Sequence, residues 1–415
     1  MKRVKVHKWS NESNREKGDK VICFLISPVL GLIASLHKIN TKSSFVIYYL
    51  FAIIFGISFT VGNVRTEGSI DGISYRIDFE NVVNHSTHGT LGDSVKEYFT
   101  FDSDQKDIYT NIVNYLVSRI TSNYHILFMV FALVFAFFQV KTNKFLVEYS
   151  SNSKPLLFLI VLLLVFNQND IFNINGVRFW TATWVSLYAF FKITVSNDWR
   201  YNFLLLLTPL IHGAFFVVYA FIALHYLTKN YDYVWIVLFA LSFFVSAASI
   251  EASGELPSFL PPAIQRLIKT YTDPDYIESR RAWGTGYFYV MWYFQLAERF
   301  FYSLLTILLI INLRQIKQDE ALRKVFHLML IIMTFANFTM GIPSVGKRFM
   351  YLGVPLIGYL WIRLSSVNKY NDVMYATPVV LLYSLYAKVK LYISVLPSEF
   401  LFASPVYLFV KYFLQ

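Results

Sequence analysis

The 415-residue sequence has a single cysteine and few charged residues. The lone Cys23 excludes an internal disulfide, and no group of Cys and His residues has the spacing of a zinc or iron–sulfur site. No Gly-x-x-x-x-Gly-Lys-Ser/Thr phosphate loop is present, so a nucleotide-dependent reaction is not indicated. Charged residues make up 15% of the chain, against roughly 25% in soluble domains. The sequence therefore predicts no metal site, no cofactor and no soluble fold.

Apolar runs of membrane length extend from one end of the chain to the other. Hydrophobic residues make up 56% of the sequence, more than a soluble fold can hide. After a short run at 21–36, spans are predicted at 45–62, 124–140, 155–168, 178–195, 203–227, 234–250, 284–312, 325–343, 349–362, 373–387 and 391–412. They predict an all-α, polytopic integral membrane protein with about eleven to thirteen transmembrane helices. A basic segment, 1–20, precedes a single transmembrane domain, 21–415, without a visible internal repeat.

Positive charge lies mainly at the ends of the apolar runs, although the formal net charge is +11. This placement is typical of membrane topology signals and does not indicate nucleic-acid binding. Segments 141–154 and 313–324 are basic and are predicted to be cytoplasmic. Two long polar segments, near 63–123 and 251–283, carry more acidic than basic residues and are predicted to be outer, periplasmic loops.

Simple alternation of spans conflicts with these placements. A cytoplasmic basic N-terminus followed by two spans would return residues 63–107 to the cytoplasm. Either the short run at 21–36 lies in the interface or re-enters, or the N-terminus lies outside. The run at 203–227 is also interrupted, by Pro209 and Gly213. A helix broken at membrane depth is tolerated where it lines a water-filled cavity, so this break predicts a site.

Basic residues open two helices on the predicted outer side. Arg178 opens the run that follows Asn173 and Asn175, and Lys347 with Arg348 opens a later run. Outer loops are normally poor in Lys and Arg, so these residues predict an anionic ligand, with interfacial anchoring as the alternative. A guanidinium is permanently charged and binds phosphate oxygens in a bidentate manner.

His212 and Asp71 are the candidates for acid–base chemistry. His212 lies directly before Gly213 in the broken run, where a buried neutral histidine is the structural alternative. Asp71 lies in the acidic outer loop, where a solvated carboxylate is the alternative to a general base. Glu298 and Arg299 lie within a predicted span and are interpreted as an internally satisfied pair or a pair facing a cavity.

The order of these residues resembles that of the EpsG-like and Wzy-type polysaccharide polymerases. The shared order is Asp and Tyr after the second span, Asn-x-x-Arg followed by Ala, His in the next apolar segment, and a late Lys-Arg with a nearby Tyr. In this chain the corresponding residues are Asp71, Tyr75, Asn175, Arg178, Ala182, His212, Lys347, Arg348 and Tyr351. The chain departs from the family at Phe179, where Gln is common.

The resemblance implies a C-type, multi-helix glycosyltransferase fold in the bacterial inner membrane. It implies a metal-independent polymerase that moves a glycan from one undecaprenyl-pyrophosphate carrier to a sugar hydroxyl of another lipid-linked repeat unit at the periplasmic face. The implied partners are these lipid-linked donor and acceptor glycans, membrane lipids and a chain-length regulator.

The resemblance also implies roles for individual residues. The implied pyrophosphate ligands are Arg178, Arg348 and Lys347. The implied catalytic residues, which would position or deprotonate the acceptor hydroxyl, are His212 or Asp71. The implied sugar or lipid contacts are Tyr75, Asn175 and Tyr351.

Three other functions compete with this interpretation. A flippase for lipid-linked sugars is disfavoured, because no internal repeat is visible and the basic sites lie at one face. An O-antigen ligase would use the same donor with a lipid A-core acceptor, and the residues alone do not separate it from a polymerase. An O-acetyltransferase would more typically need a catalytic His in a cytoplasmic-side tunnel, against which the outer placement of Arg178 argues.

Overall fold

The computed structural model describes residues 11–64, 70–84, 91–100, 107–148, 154–245, 288–342 and 345–414. Every regular element in these ranges is a helix. The prediction of an all-α, polytopic membrane protein is confirmed. The outer segment predicted at 251–283 lies outside the described residues.

Twenty α-helices are described, together with short 3₁₀ turns. In chain order they are α1 (Asn14–Ile26), α2 (Pro28–Leu36), α3 (Lys42–Ile57), α4 (Asp71–Asn84), α5 (Leu91–Thr100), α6 (Tyr109–Ser118), α7 (Tyr124–Val147), α8 (Pro155–Gln168), α9 (Val177–Thr194), α10 (Asn202–Leu206), α11 (Thr208–Ile211), α12 (Phe216–Leu227), α13 (Asp232–Val245), α14 (Phe288–Ile311), α15 (Leu313–Ile316), α16 (Glu320–Phe338), α17 (Gly346–Leu364), α18 (Thr377–Val380), α19 (Leu382–Val395) and α20 (Pro405–Phe413).

Several described helices are apolar enough for a membrane. Three stretches are also long enough to cross it: Tyr124–Val147, Pro155–Thr194 and Glu320–Phe338. A pair bent by 44°, Asn371–Val380 with Leu382–Val395, is a fourth if it forms one span. Shorter apolar helices are Lys42–Ile57, Gly213–Leu227 and Asp232–Phe244. The count of about eleven to thirteen spans stays a prediction.

The first two helices form a hairpin that turns at Ser27 and packs against α3. Lys20, 2% exposed, places its ammonium 3.0 Å from Thr41 Oγ1 and 2.6 Å from Glu12 Oε1. The end of α2 therefore lies beside the beginning of α1. The nine residues of α2 extend about 14 Å, less than half of the roughly 30 Å hydrocarbon core. This hairpin fits the re-entrant alternative for residues 21–36.

In the outer segment predicted at 63–123, the described residues form three short helices, α4 to α6. Tyr75 of α4 is buried and its ring centroid lies 5.9 Å from that of Phe131 in α7. The Ile108 N–H donates to the Leu210 carbonyl at 3.0 Å, which joins the start of α6 to the broken run. These helices therefore form a layer on the N-terminal end of α7.

The centre of the domain is α17, which packs against α16, α8 and α14. Leu360 and Trp361 are fully buried, as are most of their neighbours along α17. A helix that is apolar on every side belongs inside a bundle, and α17 follows this rule. Its first turn is consequently held in place by the surrounding helices.

The break predicted at Pro209 and Gly213 is confirmed. α11 ends at Ile211, and His212 has an extended backbone with φ −156° and ψ 121°. α12 begins only at Phe216. Proline lies in the first turn of α11, where a missing N–H costs no helical hydrogen bond.

The boundary between the last two predicted spans, 373–387 and 391–412, is wrong. Leu382–Val395 is one continuous helix. It ends before Leu396, whose backbone is extended with ψ 140°, and Pro397 follows. Proline cannot continue the helix, and it also favours an extended conformation at the residue before it.

Candidate functional site

A cavity of about 350 Å³ lies where the start of α4, the start of α9, the break between α11 and α12, and the start of α17 meet. Its lining residues are Asp71, Tyr75, Asn173, Asn175, Gly176, Arg178, Phe179, Trp180, His212 and Arg348. Six of the eight site residues predicted from the sequence are among them. Lys347 and Tyr351 are the two that do not line the cavity.

The segment before α9 forms one wall. Asp170 Oδ1 accepts the Phe172 backbone N–H at 3.0 Å. This hydrogen bond starts a 3₁₀ turn over Ile171–Gly176. Asn175 Oδ1 accepts the Gly72 N–H at 2.8 Å, and a Cβ at position 72 would lie only 3.0 Å from this oxygen. Glycine at 72 therefore permits a close approach that brings Asp71 to the cavity.

Arg178, the second residue of α9, is held by a buried carboxylate. Its Nη1 donates to Asp107 Oδ2 at 3.0 Å, and the exposed fractions of the two side chains are 39% and 3%. Its guanidinium carbon lies 5.9 Å from the ring centroid of Tyr75, and its Nε has no hydrogen-bond partner among the described residues. Burial raises the pKa of the Tyr75 phenol, which keeps that group neutral. Asp107 thus orients a guanidinium that retains donor capacity.

His212 occupies the gap between α11 and α12. The Ala214 N–H donates to His212 Nδ1 at 3.2 Å. An imidazole nitrogen that accepts a hydrogen bond carries no hydrogen, so this contact assigns the hydrogen of the neutral ring to Nε2. The His212 ring packs edge-on against Phe179, with centroids 5.3 Å apart.

Arg348 is placed by a close contact at the start of α17. A Cβ on Gly346 would lie 2.5 Å from Met340 Cα and 2.6 Å from the Ala336 carbonyl oxygen, so glycine is required there. The Arg348 guanidinium carbon lies 5.1 Å from the Phe179 ring centroid. Arg348 forms no ion pair with any carboxylate of the described residues, in contrast to Arg178. Its charge is therefore available to a ligand.

The cavity combines groups that bind anions with groups that transfer protons. Guanidiniums bind phosphate oxygens strongly, and a carboxylate or an imidazole can accept or donate a proton near neutral pH. In the described part of the chain, no group of three or more His, Cys, Asp or Glu residues is arranged to hold a metal ion. The set can bind a diphosphate group and move a proton beside it.

Comparison with known families identifies the chain. A family model described as the EpsG family matches residues 22–408, nearly the whole sequence. The chain belongs to the EpsG family. EpsG-like proteins are similar to Wzy-type polymerases, so the family match indicates a polysaccharide polymerase-like membrane protein. No curated protein and no solved structure matches it, so the C-type architecture stays a prediction.

Two motif residues of this EpsG-family protein lie behind the cavity wall. The Tyr351 ring stacks on Trp180 with centroids 6.2 Å apart, and the Lys347 ammonium lies 5.7 Å from the Tyr351 centroid. Adjacent helical residues point about 100° apart. Arg348 consequently lines the cavity while Lys347 does not.

Phe179, the residue after Arg178, is 4% exposed. Its ring contacts those of His212, Phe215 and Phe349, with centroids 5.3, 5.1 and 5.7 Å apart. Arg348 also lies over this ring. Phe179 therefore supplies an apolar surface that both His212 and Arg348 contact.

Sequence reasoning did not identify Asp107. It is one of nine acidic residues between positions 63 and 107, and no local pattern separates it from the others. Only the fold, which packs the start of α6 beside α9 and the broken run, reveals its contact with Arg178.

Proposed function

We propose that this EpsG-family protein polymerises a bacterial surface polysaccharide at the periplasmic face of the inner membrane. It transfers a glycan from one undecaprenyl-pyrophosphate carrier to a sugar hydroxyl of another lipid-linked repeat unit. One observation carries the proposal: two arginines, a carboxylate and a histidine, drawn from four separate segments, line the same cavity. A diphosphate leaving group and an attacking hydroxyl require groups of these kinds.

The arginines are assigned to the pyrophosphate. The acceptor oxygen forms a bond to the anomeric carbon while the bond from that carbon to the pyrophosphate oxygen breaks. The electron pair leaves with the pyrophosphate, and Arg178 and Arg348 stabilise the developing negative charge. Arg348 has no carboxylate competitor among the described residues, which favours anion binding.

Asp71 is assigned as the base that takes the proton of the acceptor hydroxyl. As a base, His212 would need a lone pair on Nε2, but the hydrogen bond from Ala214 to Nδ1 favours the tautomer with hydrogen on Nε2. His212 is therefore assigned as a hydrogen-bond donor to the substrate. Asp71 is exposed, is the first residue of α4 and lines the same cavity as the two arginines.

The experiment compares surface-glycan ladders from cells that lack the gene and are complemented with wild type, Arg178→Ala or Arg348→Ala at matched membrane levels. The expected result is a ladder for wild type and a single repeat unit on the lipid core for the deletion and both variants. Arg200→Ala is the matched control, because this arginine is 77% exposed and follows the opposite end of α9. It should restore the full ladder.

Other outcomes identify the competing functions. Loss of even the single repeat unit in the deletion indicates ligation or export. Purified protein in detergent then separates the classes, because only a polymerase elongates lipid-linked repeat units in the absence of a membrane barrier. A full ladder from both arginine variants would reject the anion site and leave the polymerase standing.

A further inference from the structure

Glu298 is an ionisable residue buried inside α14, with 2% of its surface exposed. The interpretation that it pairs with Arg299 is not supported, because its carboxylate binds hydroxyls on two other helices. Oε2 accepts the Tyr351 hydroxyl at 3.1 Å, and Oε1 accepts the Ser384 hydroxyl. Glu298 is not among the residues that line the cavity. Carboxylates are costly to bury in membrane helices, and their presence indicates a function.

Tyr351 connects this carboxylate to the cavity. Its ring is 8% exposed and lies nearly parallel to that of Trp180, with an interplanar angle of 27° and centroids 6.2 Å apart. The Tyr302 ring meets Tyr351 edge-on at 6.4 Å. Trp180 itself lines the cavity. The position of the indole therefore depends on a tyrosine ring that Glu298 anchors.

Lys347 supplies the opposite charge. Its ammonium interacts electrostatically with the Glu298 carboxylate and lies 5.7 Å from the Tyr351 centroid. Lys347 therefore lies beside the ring that Glu298 anchors. Arg348, the next residue, is left to face the cavity.

We propose that Glu298 is a positioning residue which, through Tyr351, holds the indole of Trp180 as the contact surface for a sugar ring of the glycan substrate. The face of an indole is apolar and rigid, which suits the C–H face of a pyranose, whereas the arginines suit the pyrophosphate. The cavity is thereby divided into a sugar subsite at Trp180 and a diphosphate subsite at Arg348. The assignment of the ligand rests on the proposed function.

The test measures equilibrium binding to purified full-length protein. One probe is undecaprenyl pyrophosphate without sugar, and the other is the same lipid bearing the repeat unit. Glu298→Ala should weaken binding of the glycan-bearing probe about three- to tenfold, the range for losing one aromatic contact, and leave the sugar-free probe unchanged. Glu298→Gln, which keeps an acceptor oxygen for the Tyr351 hydroxyl, should restore most of the loss.

Tyr351→Phe tests the same link without changing the shape of the core. It should reproduce the selective loss, and combining it with Glu298→Ala should add nothing further. Glu399→Ala is the matched control, because Glu399 accepts a tyrosine hydroxyl, that of Tyr412, at 3.1 Å in the C-terminal segment away from the cavity. It should bind both probes as wild type does.

Equal weakening of both probes would overturn the proposal, since it would indicate general damage to the cavity. Wild-type affinity in both Glu298→Ala and Tyr351→Phe would overturn it as well. Equal affinity of wild type for the two probes would also overturn it, since no sugar subsite would then contribute to binding. Failure of the proposed function has a different signature: wild type would bind the glycan-bearing probe more tightly but would not elongate the glycan.

Discussion

The two ends of α12 carry polar clusters that differ in how their charges are balanced. At its N-terminal end, His212 faces the cavity. At its C-terminal end, Thr228 belongs to a second group, here called the Asp232 cluster: Thr228, Asp232, Trp235, Lys317, Arg323 and His327. Twelve helical residues separate the two ends, a distance of about 18 Å.

The buried charge of the Asp232 cluster is balanced by cations within the cluster. The Asp232 carboxylate, fully buried, lies 2.9 Å from Arg323 Nε, 3.0 Å from His327 Nδ1 and 3.7 Å from Lys317 Nζ. Its cations come from the segment 313–324 and the start of α16. In the cavity, Arg348 has no such carboxylate among the described residues. Removing one member of a buried ion cluster destabilises a fold, whereas a cation that has no carboxylate partner beside a cavity is available to a ligand.

Asp71→Asn should have the largest effect on activity, and this effect should be confined to the cavity. Removal of a general base is expected to lower the elongation rate by about 10²- to 10⁴-fold without changing thermal stability. His212→Gln, which keeps an N–H donor but cannot titrate, should retain far more activity than His212→Ala. The measurement is the rate of elongation of a lipid-linked repeat unit by purified protein. Equal losses in His212→Gln and His212→Ala would instead favour His212 as the base.

Asp232→Ala should damage the other end of α12 and leave the chemistry intact. The substitution leaves His327, Arg323 and Lys317 without their carboxylate partner. The expected loss in the free energy of unfolding is about 3 kcal/mol, the lower end of the range for a buried pair, because Arg323 and Lys317 reach solvent. The observable is the thermal midpoint in detergent and the amount of protein in the membrane. Elongation per folded molecule should match wild type, and a selective loss of rate would link this cluster to catalysis.

Asp107→Asn should act on the cavity more weakly than the loss of Asp71. The amide keeps a hydrogen-bond acceptor for Arg178 but removes the charge, so the guanidinium is held less firmly. We expect a loss of about tenfold in kcat/KM, with a normal melting temperature. An increase in activity would mean that Asp107 competes with the pyrophosphate for Arg178.

Thr228→Val should have the smallest effect, and only on stability. The hydroxyl accepts the Trp235 Nε1–H at 2.8 Å and lies 3.1 Å from His327 Nε2. The valine leaves a part-buried N–H without this partner, at a cost of about 1 kcal/mol. The same thermal measurement checks this value, and a shift as large as that of Asp232→Ala would show that the cluster depends on its hydroxyl as much as on its carboxylate.

The helical architecture and most of the site could be predicted from the sequence. Long apolar runs predicted α7, α8 and α9, and the breakers at Pro209 and Gly213 predicted the gap that contains His212. Basic charge at the predicted outer ends of two helices identified Arg178 and Arg348 as candidate site residues. These signals are local in the chain, because they depend on hydropathy, helix breakers and charge at segment ends.

Contacts between distant segments could not be predicted. The Arg178–Asp107 pair joins residues 71 positions apart, and the Glu298 bonds to Tyr351 and Ser384 join residues 53 and 86 apart. From the sequence alone, many other acidic residues were equally possible partners for Arg178. A single sequence records which residues are present but not which of them packing brings together.

The sequence by itself determined an all-helical membrane protein with cations at two helix starts and a break at His212. The tertiary structure decided which side chain of an adjacent pair serves the cavity. Lys347 and Arg348 carry the same charge, yet successive residues of α17 point about 100° apart. Contact of Gly346 with Met340 fixes the start of α17, and this turns Arg348 to the cavity and Lys347 to the Tyr351 ring.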